Sequence, residues 1–379
     1  ANSREPIQNE GDTYALIACC EVGGNQLLQM MDDFKLTSLD QLADYIIDTS
    51  YQGTLEALAD IQAGVYNQTM AVDGYDFEIH IEAEMTISAD KIVVDFSGSS
   101  PCSKFGINVP LNYATAYAVF GIRCLIASDI PNNAGSLAPF IITAPEGCIL
   151  NAQHPAPVAM RHTIGQLMPD VIFGCLHQAM PGQVPAEGAS CMYDLPMRNV
   201  VDLGQDGDIT HFATELTHNG GTGARPTKDG LSATAYPSGV WGSQVEITET
   251  TTPLIIYRRE LRPNSGGAGK YRGGLGQILE IESLENRPFM LFLSVERMIH
   301  PARGFAGGQP GAPGRIAFAS GKVLPGKGEF EIPAGERLIF ETPGGGGYGD
   351  PAERDPQAIE DDVRRGLVST SETIGLYRE

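Results

Sequence analysis

The chain has 379 residues, of which 42% are apolar and 19% charged, with 45 glycines and 25 prolines, so it can bury a large core and needs many loops. A net charge of −22 repels phosphate backbones and excludes nucleic acid as the main ligand. Apolar runs such as 114–122 are cut by charges like Arg123 well short of the roughly 18 residues of a membrane span.

The N-terminus shows no basic-then-apolar secretory pattern, and seven cysteines without C-x-x-C spacing read as free thiols of a cytoplasmic protein. From Asp12 to Phe34 apolar residues recur at spacings of three and four, which predicts a helix, interrupted at Gly23-Gly24. A second helix is expected from Ser38, three residues before Gln41 as in a capping box, through Ile61, forming an antiparallel pair with the first. Strict alternation from Phe77 to Ile87, a turn at Ser88-Ala89-Asp90, then Ile92, Val94 and Phe96 predict an amphipathic β-hairpin. Helical patterns return at 112–127 and 162–180. After Gly204 short β-like runs dominate (209–217, 254–261, 277–283, 288–295, 315–319 and 336–341), and Asp355-Pro356 opens a last short helix ending near Gly366. The expectation is an α+β fold: a helical region over 1–73, a mixed α+β region over 74–203, a mainly antiparallel β region over 204–354 and a helical tail over 355–379.

No motif by itself announces a chemistry. Gly344 to Gly349 fits G-x-G-x-x-G, but Asp350-Pro351 follows where a helix N-terminus would have to meet a pyrophosphate, so it reads as a structural turn. Gly266-Gly267-Ala268-Gly269-Lys270 lacks the first glycine and the Ser or Thr of a P-loop. The seven histidines include no H-E-x-x-H, and Glu246 and Glu249, placed on a strand, would face opposite sides. Two stretches stand out. Arg161-His162 follows the loop His154-Pro155-Ala156-Pro157 and opens a helix, where an anionic group could meet backbone N–H donors. His218 to Arg225 sets a possible acid or base and a guanidinium around glycines that let backbone come close to a ligand. Both are expected to face one cleft.

A further set of segments is more specific: 94–101 (Val-Asp-Phe-Ser-Gly-Ser-Ser-Pro), 108–112, 123–125, 130–137 (Ile-Pro-Asn-Asn-Ala-Gly-Ser-Leu), 145–147, 155–158, 220–226 (Gly-Gly-Thr-Gly-Ala-Arg-Pro), 236–240, 259–263, 265–269, 272–276 and 345–351. Together they resemble the hydantoinase B family, which also holds one half of ATP-dependent 5-oxoprolinase and a large subunit of acetone carboxylase. The resemblance covers the later portion of the family's chain. The family's N-terminal region, with a His-His-x-Asp-type stretch, has no counterpart here.

That resemblance implies a subunit of an ATP-dependent cyclic-amide hydrolase, opening a hydantoin, 5-oxoproline or lactam ring. Its partner would be a hydantoinase A-like subunit carrying ATP and Mg. A transition metal is implied for the absent N-terminal portion, which a separate chain could supply. Arg161, His162, His218 and Arg225 are the candidates for catalysis, offsetting charge or moving protons at the ring. The alternatives are a portion of an acetone carboxylase-type carboxylase and a non-catalytic scaffold.

Overall fold

In the computed structural model, which describes residues 6–199, 212–285, 287–371, 373 and 377, the chain opens with helices α1 (Pro6–Asp33) and α2 (Asp40–Ala59). Strands β1 (Gly64–Val72), β2 (Ile79–Ile87) and β3 (Ile92–Asp95) follow, then α3 (Leu111–Arg123), α4 (Ala134–Leu137), β4 (Phe140–Thr143), α5 (His162–Gly165) and α6 (Met168–Ala179). The second half runs β5 (Met192–Asn199), β6 (Ala213–Asn219), α7 (Val245–Thr251), β7 (Leu254–Leu261), β8 (Gln277–Ser283) and β9 (Phe289–Ser294). It continues with β10 (Arg315–Phe318), β11 (Val323–Leu324), β12 (Lys327–Ile332), β13 (Leu338–Glu341) and α8 (Pro356–Arg364). The fold is α+β, as expected. The expected boundary at 203–204 and the start of the 209–217 run lie outside the described residues.

One compact unit comprises α1, α2 up to Thr54 and the segment Ile130–Ala138. Helix α1 runs unbroken through Gly23-Gly24, and α1 and α2 do not pack side by side as the sequence led us to expect. The short α4 is pinned by Asn133, whose side chain accepts from Gly135 N and Ser136 N and donates to Ser50 Oγ at 2.7 Å.

The second unit holds the rest, from Leu55 to Asp129 and from Pro139 onward. Its first sheet has the order β1-β2-β3-β4, antiparallel except for the parallel β3–β4 pair. The expected hairpin is β2–β3: Ile79, Ile81, Ala83, Met85 and Ile87 are buried while His80, Glu82, Glu84 and Thr86 face solvent. Strand β1 escaped the sequence reading because its first residues alternate only between exposed and half-buried. Helices α3 and α6 pack together and α6 lies on β1 and β2. The 162–180 helix is two helices, because Met168-Pro169 starts α6 afresh after the single turn of α5.

The other two sheets, β11-β10-β13-β8-β7 and β12-β9-β5-β6, are wholly antiparallel. They share a core that includes Tyr193, Leu195, Leu216, Ile281, Leu291, Ile316 and Phe340. Glu246 and Glu249 sit on helix α7, not on a strand. The final helix has the expected start and end, with Asp355 accepting from Gln357 N at 3.0 Å and Gly366 at φ 70°.

The stretch from Gly344, expected as a structural turn, is built differently over its first residues. Residues 343–347 run extended through a bundle of other glycine-rich segments and bond to a different neighbour at almost every step. Gly344 N donates to Ala312 O, Gly345 N to Gly274 O, Gly346 N to Glu187 O and Gly347 N to Gln309 O. In return Gly345 O accepts from Gly267 N, Gly346 O from Ala224 N and Gly347 O from Phe305 N. A Cβ on Gly345 would lie 1.9 Å from Thr222 O, and one on Gly273 1.9 Å from Gly345 O. Only backbone without side chains packs this closely, which explains why glycines cluster in five separate stretches, 220–223, 266–269, 273–276, 304–308 and 344–349.

Candidate functional site

The loop before Arg161 is held by Asn108, which is fully buried. Its Nδ2 donates to Ser103 O, Phe105 O and Pro157 O, and its Oδ1 accepts from Ser103 N at 2.7 Å. Helix α5 is then fixed from the other side by Thr163, whose hydroxyl donates to Ser294 O at 3.2 Å. Gly165 lets α5 lie directly on the Tyr113 ring, since a Cβ there would come within 2.4 Å of it.

This placement brings His162 to the β5–β6 pair. Its Nε2 lies 3.1 Å from Asp194 Oδ2, and Asp194 Oδ1 accepts from Thr217 Oγ1 at 2.9 Å, Asp194 and Thr217 being register partners. Glu215, two residues before Thr217 on the same face, has its carboxyl pushed up by burial and then by the charge of Asp194, while His162 acts the other way. The approach of Nε2 to Asp194 is a charge contact without hydrogen-bond alignment, so His162 Nε2 is itself a buried polar atom without a hydrogen-bond partner among the described residues, beside a carboxylate that Thr217 fixes on its other oxygen.

Helix α3 supplies the other wall. Tyr113 and Tyr117 stack at 4.8 Å, and the Arg161 guanidinium lies 5.4 Å from the centre of the Tyr113 ring. Burial is the main reason the Tyr113 hydroxyl is held above its ordinary pKa. The Tyr117 hydroxyl and Ser238 Oγ are 2.8 Å apart, and Gln166 Nε2 donates to Ser238 at 2.7 Å. Gln166 Oε1 and the Tyr236 hydroxyl are buried without a hydrogen-bond partner among the described residues, and unsatisfied groups of this kind mark a place made for something else.

The four sequence candidates therefore separate. His218 is paired with Tyr193, so its ring projects from the opposite face of β6 to Thr217, toward the core between the two sheets. Arg225 closes a tight bridge with Lys228 and donates from Nη2 to Asp229 O at 2.8 Å. Among the described residues no hydrogen bond or ion pair joins either to Arg161 or His162, and His218 points away from the His162–Asp194 contact. Strand alternation, invisible without the register, is the reason. Asp194, Glu215, Tyr113 and Gln166 were missed; the one signal was a lone carboxylate, Asp194, between the apolar Tyr193 and Leu195.

Burial, and secondarily the Arg259 charge, bring His218 down to a pKa of about 4. A folded-state pKa below the unfolded one means that stability falls as pH drops through 6.5 toward 4. The expected loss from this group is about 2 kcal/mol between pH 7 and pH 5. Denaturant unfolding at the two pH values should show that share vanishing in His218→Met.

The described residues offer no group of three or more His, Cys, Asp or Glu side chains that could hold a metal. The glycine stretches do not fit ATP either, because Gly267 N and Gly345 N already donate to Gly345 O and Gly274 O. A cleft of about 330 Å³ lies elsewhere, by Lys228, Lys270, Tyr271 and Glu353. Four of its charges pair off: Arg354 holds Asp229 at 2.8 Å and Lys270 holds Glu353 at 3.2 Å.

A family model described as hydantoinase B/oxoprolinase matches residues 1–351. The chain is 31% identical over its whole length to an uncharacterized protein of Methanocaldococcus jannaschii, of which it covers 66%. It is 27% identical over 99% of its length to the B-type subunit of a putative D-/L-hydantoinase from a Pseudomonas strain, again covering 66%. The crystal structure of ATP-dependent caprolactamase from Pseudomonas jessenii superposes with a TM-score of 0.86 at 25% identity, over 100% of this chain and 67% of that one. The chain thus spans about two thirds of the length of the curated relatives it matches first.

Proposed function

Because this chain belongs to the hydantoinase B/oxoprolinase family, we propose that it is a B-type subunit of an ATP-dependent cyclic-amide hydrolase working with a hydantoinase A-like subunit. The observation that carries this reading is the superposition of the whole chain on the caprolactamase. ATP and Mg belong on the partner in this reading, and the complex works in the cytoplasm; all seven cysteines are free, and no helix of the described residues is long and apolar enough to cross a membrane.

The chain's own part is proton management at the ring. His162, with the Asp194 carboxylate beside it, takes a proton from the water that adds to the ring carbonyl and returns it to the departing ring nitrogen as the C–N bond breaks. Arg161, held over Tyr113, offers its guanidinium to the oxygen that gains charge. His218 and Arg225 act at a distance from this step, on the sheet core and on the 225–228 turn.

The test is a reconstituted complex given ATP with a hydantoin, 5-oxoproline or ε-caprolactam, scored by the ring-opened acid. A parallel arm with bicarbonate and a ketone scores the carboxylase alternative. His162→Gln should lower kcat by about 10²- to 10⁴-fold without altering assembly. If His162→Gln and Asp194→Asn both turn over normally, the chain is a scaffold and the proposed chemistry lies elsewhere.

A further inference from the structure

Every side chain from residue 9 to 29 of α1, and from 40 to 49 of α2, is exposed. That would be ordinary for polar helices, but these carry Tyr14 (64% exposed), Leu16 (69%), Ile17, Leu28 (65%) and Tyr45 (68%). At 28 residues α1 is about 42 Å long, and a helix of that length owes its stability to a packed apolar face. Here α1 finds no such face on α2. An apolar surface of this extent is an interaction site.

Charge narrows what can cover it. Between residues 6 and 59 nine carboxylates, from Glu10 to Glu56, stand against one base, Lys35. A second copy would bring two such acidic helices together, and an anionic lipid surface would be repelled. The relatives it matches first are half as long again as this chain, so each carries a stretch of polypeptide that this chain does not contain.

We propose that α1 and the first half of α2 are the docking surface for that remaining stretch of the family's length, which meets them with apolar side chains flanked by Lys and Arg. Ile17 and Leu28, eleven residues apart and so on one face of α1, enter its apolar seam, and Glu21, Asp32 and Asp44 face its basic rim. The surface belongs to assembly and is independent of which ring the complex opens.

Hydrogen exchange on the full 379-residue chain tests this. The probes are two separate polypeptides: the parts of the caprolactamase beta chain and of the Pseudomonas B-type hydantoinase chain that lie outside the region matched by this chain. At least one should slow exchange of the α1 amides at least about tenfold, with β2 unchanged as the internal control. Ile17→Glu with Leu28→Glu, both exposed on the same face of α1, should abolish the slowing while leaving exchange of β2 unchanged, and high salt should weaken it. The proposal is overturned if neither polypeptide slows α1, if the double variant is slowed equally, or if α1 is protected by raising the concentration of the chain alone, which would assign the face to a second copy. None of these readouts depends on catalytic turnover.

Discussion

Gly345→Ala should yield no cooperatively folding protein. The added methyl group would sit 1.9 Å from Thr222 O, and the neighbour is backbone held by its own hydrogen bonds, so no side chain can swing away. The Gly345 N–H and C=O bond to Gly274 and Gly267, so moving the segment to make room breaks those bonds as well. The cost is at least about 4 kcal/mol, a large part of what holds a domain together. Gly23→Ala provides the contrast. Nothing lies within 4 Å of a Cβ there, the position is mid-helix and exposed, and the change should stabilise by up to about 1 kcal/mol. Soluble yield and denaturant unfolding of the two variants measure both effects.

The second large effect is expected at Arg297, which lies wholly inside the protein with a left-handed backbone at φ 64°. Its Nη2 donates to Asp170 Oδ2 at 3.0 Å, its Nη1 to Glu187 Oε2 at 3.2 Å, and its Nε to Ala189 O at 3.3 Å. Arg303 completes the group, donating to Glu187 from both its backbone N–H and its Nε. Arg297→Met removes one guanidinium from between two buried carboxylates, a loss of about 3–5 kcal/mol. Arg297→Lys restores little, because one ammonium cannot span the fork. Burial raises the Asp170 carboxyl to about 7 against the pull of Arg297. A carboxyl raised on folding binds its proton more tightly in the folded state, so its contribution is lost as pH rises through 7. Without Arg297 that pKa moves higher still. Urea unfolding should therefore show the gap between wild type and Arg297→Met widening from pH 6 to pH 8, and Asp170→Asn should recover part of it.

How much of this was legible in the sequence depended on the range of the interaction concerned. The β2–β3 hairpin and the Asp355 cap are written in residues within a turn of one another, and both stand where the pattern put them. His162 was legible because a proline loop precedes it, whereas Asp194 was not, since its meaning comes from Thr217 across a strand pair. The bond between them joins positions whose proximity only the completed sheet provides. The glycine stretches were visible as composition, but their use was hidden: each reads as a turn on its own, and becomes an extended strut only when the others surround it. The family segments were legible for the related reason that many of them are these same glycine stretches.

The glycine bundle also bears on how the protein responds to temperature. Most of a protein's interior is hydrocarbon, and exposing hydrocarbon to water on unfolding raises the heat capacity by about 0.45 cal/K/mol per Å², whereas exposing peptide groups lowers it by about 0.26. Around Gly344–Gly347 the hidden surface is peptide packed on peptide, so this region contributes to the heat capacity of unfolding with the opposite sign to the sandwich core beside it. The stability curve of the chain is flattened accordingly. Cooling, which weakens an oily core, leaves this part of the molecule with the hydrogen bonds that hold it.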